Sequence, residues 1–412
     1  MTRRVIKYYL AFGFLLVLSQ GFFFATYQLF LAERGMSLLQ VNLINGFFML
    51  ANFLLEVPTG AFADVYGRKR SVVAGCFIFT VSFISYYFAS SFWQFVGAEV
   101  IGAIGATLIS GAMSAWVVDL LNHHGYGEGM APIFQRREIV NKVGRIIGSV
   151  SGGYLGSLGL GLPWLAAGIG CMITGLFAWR VMSEAYFVEK KQRHWREIGS
   201  TAKSALRYGI NHRSILYLVI FIGLYMLAMQ PFNMYWPYRF KNDYHLSVAA
   251  LGWLFTGITI ATFFGNLLSG WIGRRFGAGK LAVILPQAVT AAAMIVASLK
   301  IGFYPVFTAF MIHEAGRGVL EPLRETYFNE RIEGTTQRAT VLSFQSMVGK
   351  GGAALGLVIS GLIADNSSIH RSWFAFGLLL LIAIPVFLWL KNGDEKSLSA
   401  KPQIVTKNSG SQ

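Results

Sequence analysis

Gly60-Ala-Phe-Ala-Asp64-Val-Tyr-Gly67-Arg68-Lys69-Arg70 is a short, charged, glycine-punctuated turn set between two long apolar segments. It reads as a membrane-protein hinge, because the flanking segments are long enough to cross a bilayer while the charges must stay at its surface. The stretch Gly270-Trp-Ile-Gly-Arg274-Arg-Phe-Gly277-Ala-Gly-Lys280 echoes it 210 residues downstream. The two outer glycines recur in register, whereas Arg274 stands at the aspartate position. A duplicated membrane unit is therefore expected.

Of 412 residues, 54% are hydrophobic and 13% charged, too little polar surface to cover a soluble globule of this size. Apolar runs of ~20 residues, enough to cross ~30 Å of hydrocarbon as helix, recur along the chain. They predict twelve spans: 8-31, 38-59, 71-90, 94-117, 138-161, 163-183, 214-236, 247-270, 280-299, 303-325, 340-362 and 372-390. The run lengths exclude a closed β-barrel, and a spanning segment must satisfy its own backbone polar groups, so the spans are helices. Met1-Thr-Arg-Arg leads straight into a segment too long for a signal-peptide core, and no cleaved signal is expected.

The net charge of +16 would suggest nucleic acid in a soluble protein. Its distribution points elsewhere. Of the 35 Lys and Arg, only Arg34, Arg239, Lys241, Lys300 and Arg371 fall on the side opposite the N-terminus. That is the positive-inside bias, and it predicts a multi-pass protein of a prokaryotic cell (inner) membrane with both termini cytoplasmic and no nucleic-acid partner. Cys76 and Cys171 lie within predicted spans and read as small buried packers, with no disulfide and no metal site.

One loop is long and basic, from Glu184 to Arg213, with Lys190, Lys191, Arg193, Arg196, Lys203 and Arg207 between. It divides the chain into six-helix bundles at 1-183 and 214-390, joined by a cytoplasmic linker at 184-213. Within it Trp195, Ile198, Ala202, Ala205 and Leu206 recur at helical spacing, which fits an amphipathic helix at the membrane surface or a solvated linker. The Lys-, Ser- and Asn-rich tail, 391-412, is expected to be disordered. Further echoes support duplication: Gln20-Gly-Phe with Gln230-Pro-Phe, 210 residues apart, and Asn-Lys142-Val-Gly144 with Gly-Lys350-Gly-Gly352, 208 apart. Each half has an even number of spans, so both have the same orientation. Parallel repeats of this kind place a binding site between the halves near the bilayer midplane, with access alternating as the halves rock.

Over spans 1 to 12 the sequence resembles the major facilitator superfamily, and within it the twelve-span drug:proton antiporter group. Gly60, Asp64, Gly67, Arg68 and Lys69 match the family's signature loop, G-x-x-x-D-x-x-G-R-[RK], between spans 2 and 3. Gly144, Gly148, Gly152 and Gly153 resemble the antiporter motif G-x-x-x-G-P-x-x-G-G, with Ser149 where proline is expected; small-residue helix packing accounts for the same pattern. The resemblance implies an all-α fold of two parallel six-helix repeats around a central cavity, no enzymatic activity, no cofactor, and a monomer. It also implies that Asp64 braces the two halves when the cytoplasmic gate is shut; the alternative is a purely topological anchor. Two departures matter. Glu99 stands where proton-coupled drug exporters usually carry an arginine in span 4, and span 1 offers Gln20 and Gln28 in place of a carboxylate.

Ionisable groups inside spans are functional candidates. Glu99 is a proton acceptor or a residue reaching a wet vestibule. His313 and Glu314, with Arg317 one turn further along span 10, form either a structural ion pair or a site where a proton or cationic substrate competes for the carboxylate. Lys142, Arg145 and Lys350 fall in the first turn or so of spans 5 and 11, where snorkelling to the interface accounts for them in preference to substrate binding. Arg136, Arg137, Glu138, Asp119, Glu321, Arg324, Glu325 and Glu330 are expected to form salt bridges between the halves at the cytoplasmic gate. Gln20, Phe24, Tyr27 and Gln28 in span 1, with Gln230, Asn233, Trp236 and Tyr238 in and beyond span 7, make an aromatic and amide-rich cavity wall, although Trp236 and Tyr238 also fit an interfacial belt. Pro231 should kink span 7 beside it.

The chain lacks a phosphate-cradling GxxxxGK[ST] loop and a nucleophile elbow. The expectation is thus a secondary active transporter in the lipid bilayer, driven by protons, that exports a hydrophobic or amphiphilic small molecule. Uptake or exchange of a metabolite, lipid translocation, and a non-transporting receptor are the alternatives.

Overall fold

The computed structural model describes residues 1–184, 213–277, 279–332 and 338–388. The amphipathic segment expected within the central linker and the tail after 390 lie outside the described residues. Thirteen α-helices and no strand occur among those described. In the first half, α1 (Thr2–Phe24) and α2 (Tyr27–Glu33) make up span 1, followed by α3 (Leu38–Tyr66), α4 (Arg68–Phe88), α5 (Phe92–His123), α6 (Ala131–Leu158) and α7 (Leu162–Val181). The second half comprises α8 (Arg213–Tyr244), α9 (Val248–Phe276), α10 (Lys280–Ser298), α11 (Phe303–Ile332), α12 (Arg338–Asn366) and α13 (Ile369–Leu388). All twelve expected spans are present as helices. Ten helices are long and apolar enough to cross a membrane by themselves. The two long helices below that mark are α6 and α11, which carry Lys142 and Arg145, and Glu314, Arg317 and Glu321. Charge retained on a helix that must still cross lipid points to work for those charges.

The halves repeat contact for contact. α1 packs on α6 as α8 packs on α12; the pairs α3·α5, α4·α5, α4·α7 and α1·α7 recur as α9·α11, α10·α11, α10·α13 and α8·α13. Between the halves α6 meets α9 and α3 meets α12, two contacts that the repeat exchanges. Local chemistry repeats too. The Ser37 and Ser247 hydroxyls accept from the backbone N–H of Gln40 and Ala250 and so cap α3 and α9, 210 residues apart. The hinge glycines keep their conformation in both copies: Gly67 has φ +104° and Gly277 φ +67°, a region costly for a side chain.

Small residues set a close helix pair in each half. A Cβ built on Gly152 would lie 1.8 Å from the Phe22 carbonyl oxygen, and one on Gly148 would lie 2.4 Å from that of Leu18. Gly352 and Gly356, 208 residues on from Gly144 and Gly148, meet the Gly223 and Leu227 carbonyls at 2.2 and 2.3 Å. Gly144, Gly148 and Gly152 are thus the seam between α6 and α1, while Gly153 turns to α9 across the halves. Span 1 is not one straight helix: hydrogen bonding breaks at Ala25 and Thr26, which redirects the chain at Tyr27. The first half is built around Trp164, stacked on Tyr86 at 4.0 Å and on Phe23 at 4.4 Å between ring centroids.

Candidate functional site

The halves are joined by hydrogen bonds at the end away from the N-terminus. Asp365, at the far end of α12, accepts from the backbone N–H groups of Leu38 and Leu39 at 2.9 and 3.2 Å, so a carboxylate of one half caps a helix N-terminus of the other. Deeper, the fully buried Asn42 of α3 donates from its amide to the Tyr235 hydroxyl (2.7 Å), the Leu357 carbonyl (2.7 Å) and the Ser360 hydroxyl (3.0 Å). Gln28 reaches Met234 across the same seam, and Ser149 reaches the Gly252 carbonyl. Toward the N-terminal end the bridging contact is one exposed ion pair, Lys350 with Glu56 at 2.8 Å.

Glu99 lies inside the first half, 8% exposed. Its Oε1 accepts from Tyr86 at 2.6 Å and from Tyr27 at 3.0 Å. The break between α1 and α2 aims Tyr27 inward, and Trp164 covers Tyr86. Asn45 of α3 lies close enough to act on the Tyr27 hydroxyl. Asn45 sits one turn from Asn42 on α3, so a short polar chain runs from the carboxylate to the seam. Tyr27 therefore serves the Glu99 pocket from within the first half, a direction that its place in span 1 did not reveal.

In the second half, Glu314 is buried between His313, whose Nδ1 is 3.2 Å from its Oε1, and Arg317, 3.6 Å from its Oε2. Arg317 also donates to the Asn233 carbonyl oxygen of α8 at 2.7 Å and to Glu321 at 3.3 Å. His313 packs on the Phe232 ring, and its Nε2 is buried with no hydrogen-bond partner among the described residues. An orphaned buried donor or acceptor marks a place where the fold gives up stability.

The remaining wall residues meet across the seam. Phe24 of α1 contacts Phe255 at 5.7 Å, and Trp236 contacts Phe255 at 6.0 Å, so one aromatic wall spans both halves. Gln20 is half-buried on α1, and Gln230 donates to the Met226 carbonyl of its own helix. Trp373 donates to the Pro231 carbonyl at 2.9 Å. Arg145 rests over the Phe24 ring at 5.7 Å and Lys142 over Phe263 at 5.0 Å. Their depth corrects the snorkelling expectation. The helix starts at Ala131, which places Arg145 ~21 Å from that end and ~20 Å from Leu158. Its neighbour Gly144 packs on Phe14 and Leu18 of α1, again in the middle of a span.

In the hinge, Asp64 pairs with Arg68 at 2.6 Å, and Arg68 lies 3.8 Å from Asp119. Glu184 fills the space that the missing Gly67 side chain leaves and accepts from the Lys69 N–H at 2.7 Å. The expected gate bridges between the halves take a different form here. Arg137 bonds Tyr9, Arg317 bonds Glu321, and Arg324 bonds Glu325, each inside its own half. Arg68, Arg317 and Arg324 each pair within their own half, and among the described residues Lys350–Glu56 is the ion pair that bridges the halves.

A separate apolar groove of about 850 Å³ runs along the flank of the second half between α9, α10 and α11, lined by Leu268, Trp271, Leu285, Val289 and Ile312. Ala315 and Gly316, which stand between Glu314 and Arg317 in the chain, also line it. Among the described residues no three His, Cys, Asp or Glu side chains gather as a metal site.

Twelve spanning helices in two halves that repeat each other's packing, with buried ionisable side chains inside each half, are the architecture of a multi-pass membrane transporter. The chain belongs to the major facilitator superfamily, whose family model matches residues 9–238 and 216–409. It is 26% identical over 406 residues to the uncharacterized MFS-type transporter YxaM of Bacillus subtilis, covering 94% of this chain and 97% of that one. It is 25% identical to the multidrug resistance protein MdtH of Klebsiella pneumoniae, covering 97% of each. Among solved structures, the nucleoside transporter NupG superposes with a TM-score of 0.76 at 14% identity, covering 94% of this chain and 98% of that one. A bacterial homolog of the human lysosomal transporter Spinster gives 0.76 at 16% identity, covering 97% and 98%. Members of this family carry small-molecule substrates through a lipid bilayer.

Proposed function

We propose that the protein is a monomeric secondary active transporter that exports hydrophobic or amphiphilic small molecules from the cytoplasm in exchange for protons. The observation that carries this reading is the line from Glu99 through Tyr27 and Asn45 to the Asn42 seam. A carboxylate bonded by two phenols is a much stronger acceptor while it is ionised. Protonation weakens both bonds, frees Tyr27, and loosens α3 at the point where it holds the far end shut. In the arrangement described, substrate enters from the end that carries the termini, which the distribution of Lys and Arg assigns to the cytoplasm of a prokaryotic cell.

When the cytoplasmic end closes, Asp64 leaves Arg68 and faces the N-terminus of α12, as Asp365 now faces that of α3. One antiparallel helix pair, α3 and α12, would then carry a carboxylate latch at each face, and only one latch is engaged at a time. The bundles at 1-183 and 214-390 are the rocking bodies, and 184-213 is their cytoplasmic tether. The His313–Glu314–Arg317 group is the second place at which a proton can be held. The name of MdtH, at 25% identity, supports a broad apolar substrate class.

Cells expressing the protein should accumulate less of a lipophilic dye, and collapsing the pH gradient should restore accumulation. Accumulation that rises with expression would turn the assignment to uptake by the same alternation run in reverse.

A further inference from the structure

We propose that the substrate carries an anionic group, a carboxylate, sulfonate or phosphate, and that Arg145 receives it with Lys142 one turn away. The inference rests on the reading of the inter-half chamber as a transport site and names the chemistry of what enters it.

Arg145 differs from the other deep cations in the fold. Arg317 is held by Glu314, Glu321 and Asn233; Arg239 is bonded to Asp243 and His370; Arg68 is paired with Asp64. Among the described residues no carboxylate lies within ion-pair distance of Arg145 or of Lys142. The carboxylate that acts on Arg145 from a distance is Glu138, two turns toward the N-terminal end. Arg145 is nevertheless near the middle of its helix and exposed on the face that turns toward α9 and the seam. An arginine at that depth without a counter-charge is costly and is retained for a ligand or an ion path.

Its surroundings indicate what ligand. The guanidinium lies over the Phe24 ring, so its planar fork stays free to grip two oxygens of one anion. Lys142, over Phe263 of α9, adds a second positive charge on the same helix face. The wall of Phe24, Phe255 and Trp236 offers flat apolar area beside them for the rest of the molecule. Two uncompensated cations also repel a cationic amphiphile, which gives the chamber a preference by exclusion as well as by attraction.

The test uses the full-length protein in nanodiscs and three probes of one chain length: a dansyl-labelled long-chain carboxylic acid, its methyl ester and the corresponding primary amine. Binding is read as energy transfer from tryptophan to dansyl, with empty nanodiscs subtracted. The wild type should bind the acid most tightly and the amine least. Arg145→Gln should weaken the acid about tenfold or more and leave the ester within about twofold, while Arg145→Lys retains part of the preference. A wild type that binds the ester or amine as tightly as the acid, or binds none of the three, overturns the inference, and needs no variant to do so. Movement of the same probes in vesicles under a pH gradient is scored separately. Failure there with the binding order intact counts against proton-driven export and leaves the anion site standing.

Discussion

Replacing Asn42 by leucine should open the far end of the molecule without unfolding it. Asn42 is 0% exposed and joins α3 to α8 and α12 through three acceptors. Leu357 and Ser360 keep partners within α12 when the amide is lost, because the Ser360 hydroxyl still donates to the Leu357 carbonyl at 3.2 Å. Tyr235 keeps the Ser360 hydroxyl beside it, so the cost is that of the amide's own bonds across the seam, about 0.5–1.5 kcal/mol for each of its two N–H groups. Against this, Asn42 Oδ1 is itself buried without a partner, and its removal offsets about 1 kcal/mol. The net loss is about 0–2 kcal/mol, centred near 1 kcal/mol, which is roughly 5-fold in the ratio of closed to open molecules. These bonds join the two halves and exist only while that end is sealed, so the loss appears as a population shift. Nitroxide labels on Ser90→Cys and Lys300→Cys report it by pulsed electron resonance, because both positions are exposed at that end, one in each half. The native Cys76 and Cys171 are buried and are replaced by alanine to keep the labelling specific. Asn42→Leu should add a longer-distance population. A distribution changed by less than about twofold would refute the assignment of this seam as a conformational lock.

Three further outcomes follow from the same geometry. Gly152→Ala should abolish a monodisperse, folded preparation on size exclusion, because its Cβ has only 1.8 Å to the Phe22 oxygen, whereas Gly97→Ala, with nothing within 4 Å, should be indistinguishable from wild type. Arg317→Ala should lower thermal stability by up to about 3–5 kcal/mol by leaving the buried Glu314 with His313 alone beside it; adding Glu314→Gln should return most of it, and a double variant no more stable than the single one would show that the pair is not the cause. Glu99→Gln keeps the shape and removes the proton, so proton-driven movement of substrate should fall while exchange of labelled for unlabelled substrate continues; unchanged proton-driven movement in this variant would remove Glu99 from the coupling path.

The helices and their duplication were legible because both rest on local chemistry. Apolar run length found the spans, and the 210-residue echo found the hinges, where Gly67 and Gly277 share positive φ for one backbone reason. The same offset relates Ser37 to Ser247, a helix-capping signal that spacing alone could have revealed. What stayed hidden depends on direction and on long range. No pattern in span 1 marks the break at Ala25 that turns Tyr27 toward Glu99. Asn42 and Asp365 are ordinary polar residues near span ends until the fold brings α3 against α12. Arg145 was misplaced because hydropathy begins span 5 at 138, where the apolar run begins, whereas the helix begins at Ala131. The gate charges were paired across the halves in expectation, and within each half in the structure, because pairing follows the conformation and not the sequence.

The central claim is that substrate leaves in exchange for protons through Glu99. It is tested most directly in vesicles containing the purified protein and a trapped pH-sensing dye, to which the dansyl-labelled acid is added under an imposed pH gradient. Protons should move opposite to the probe in the wild type and should not move in Glu99→Gln, which still exchanges probe. Probe movement at the same rate with and without the gradient, and with no proton signal in the wild type, would contradict it.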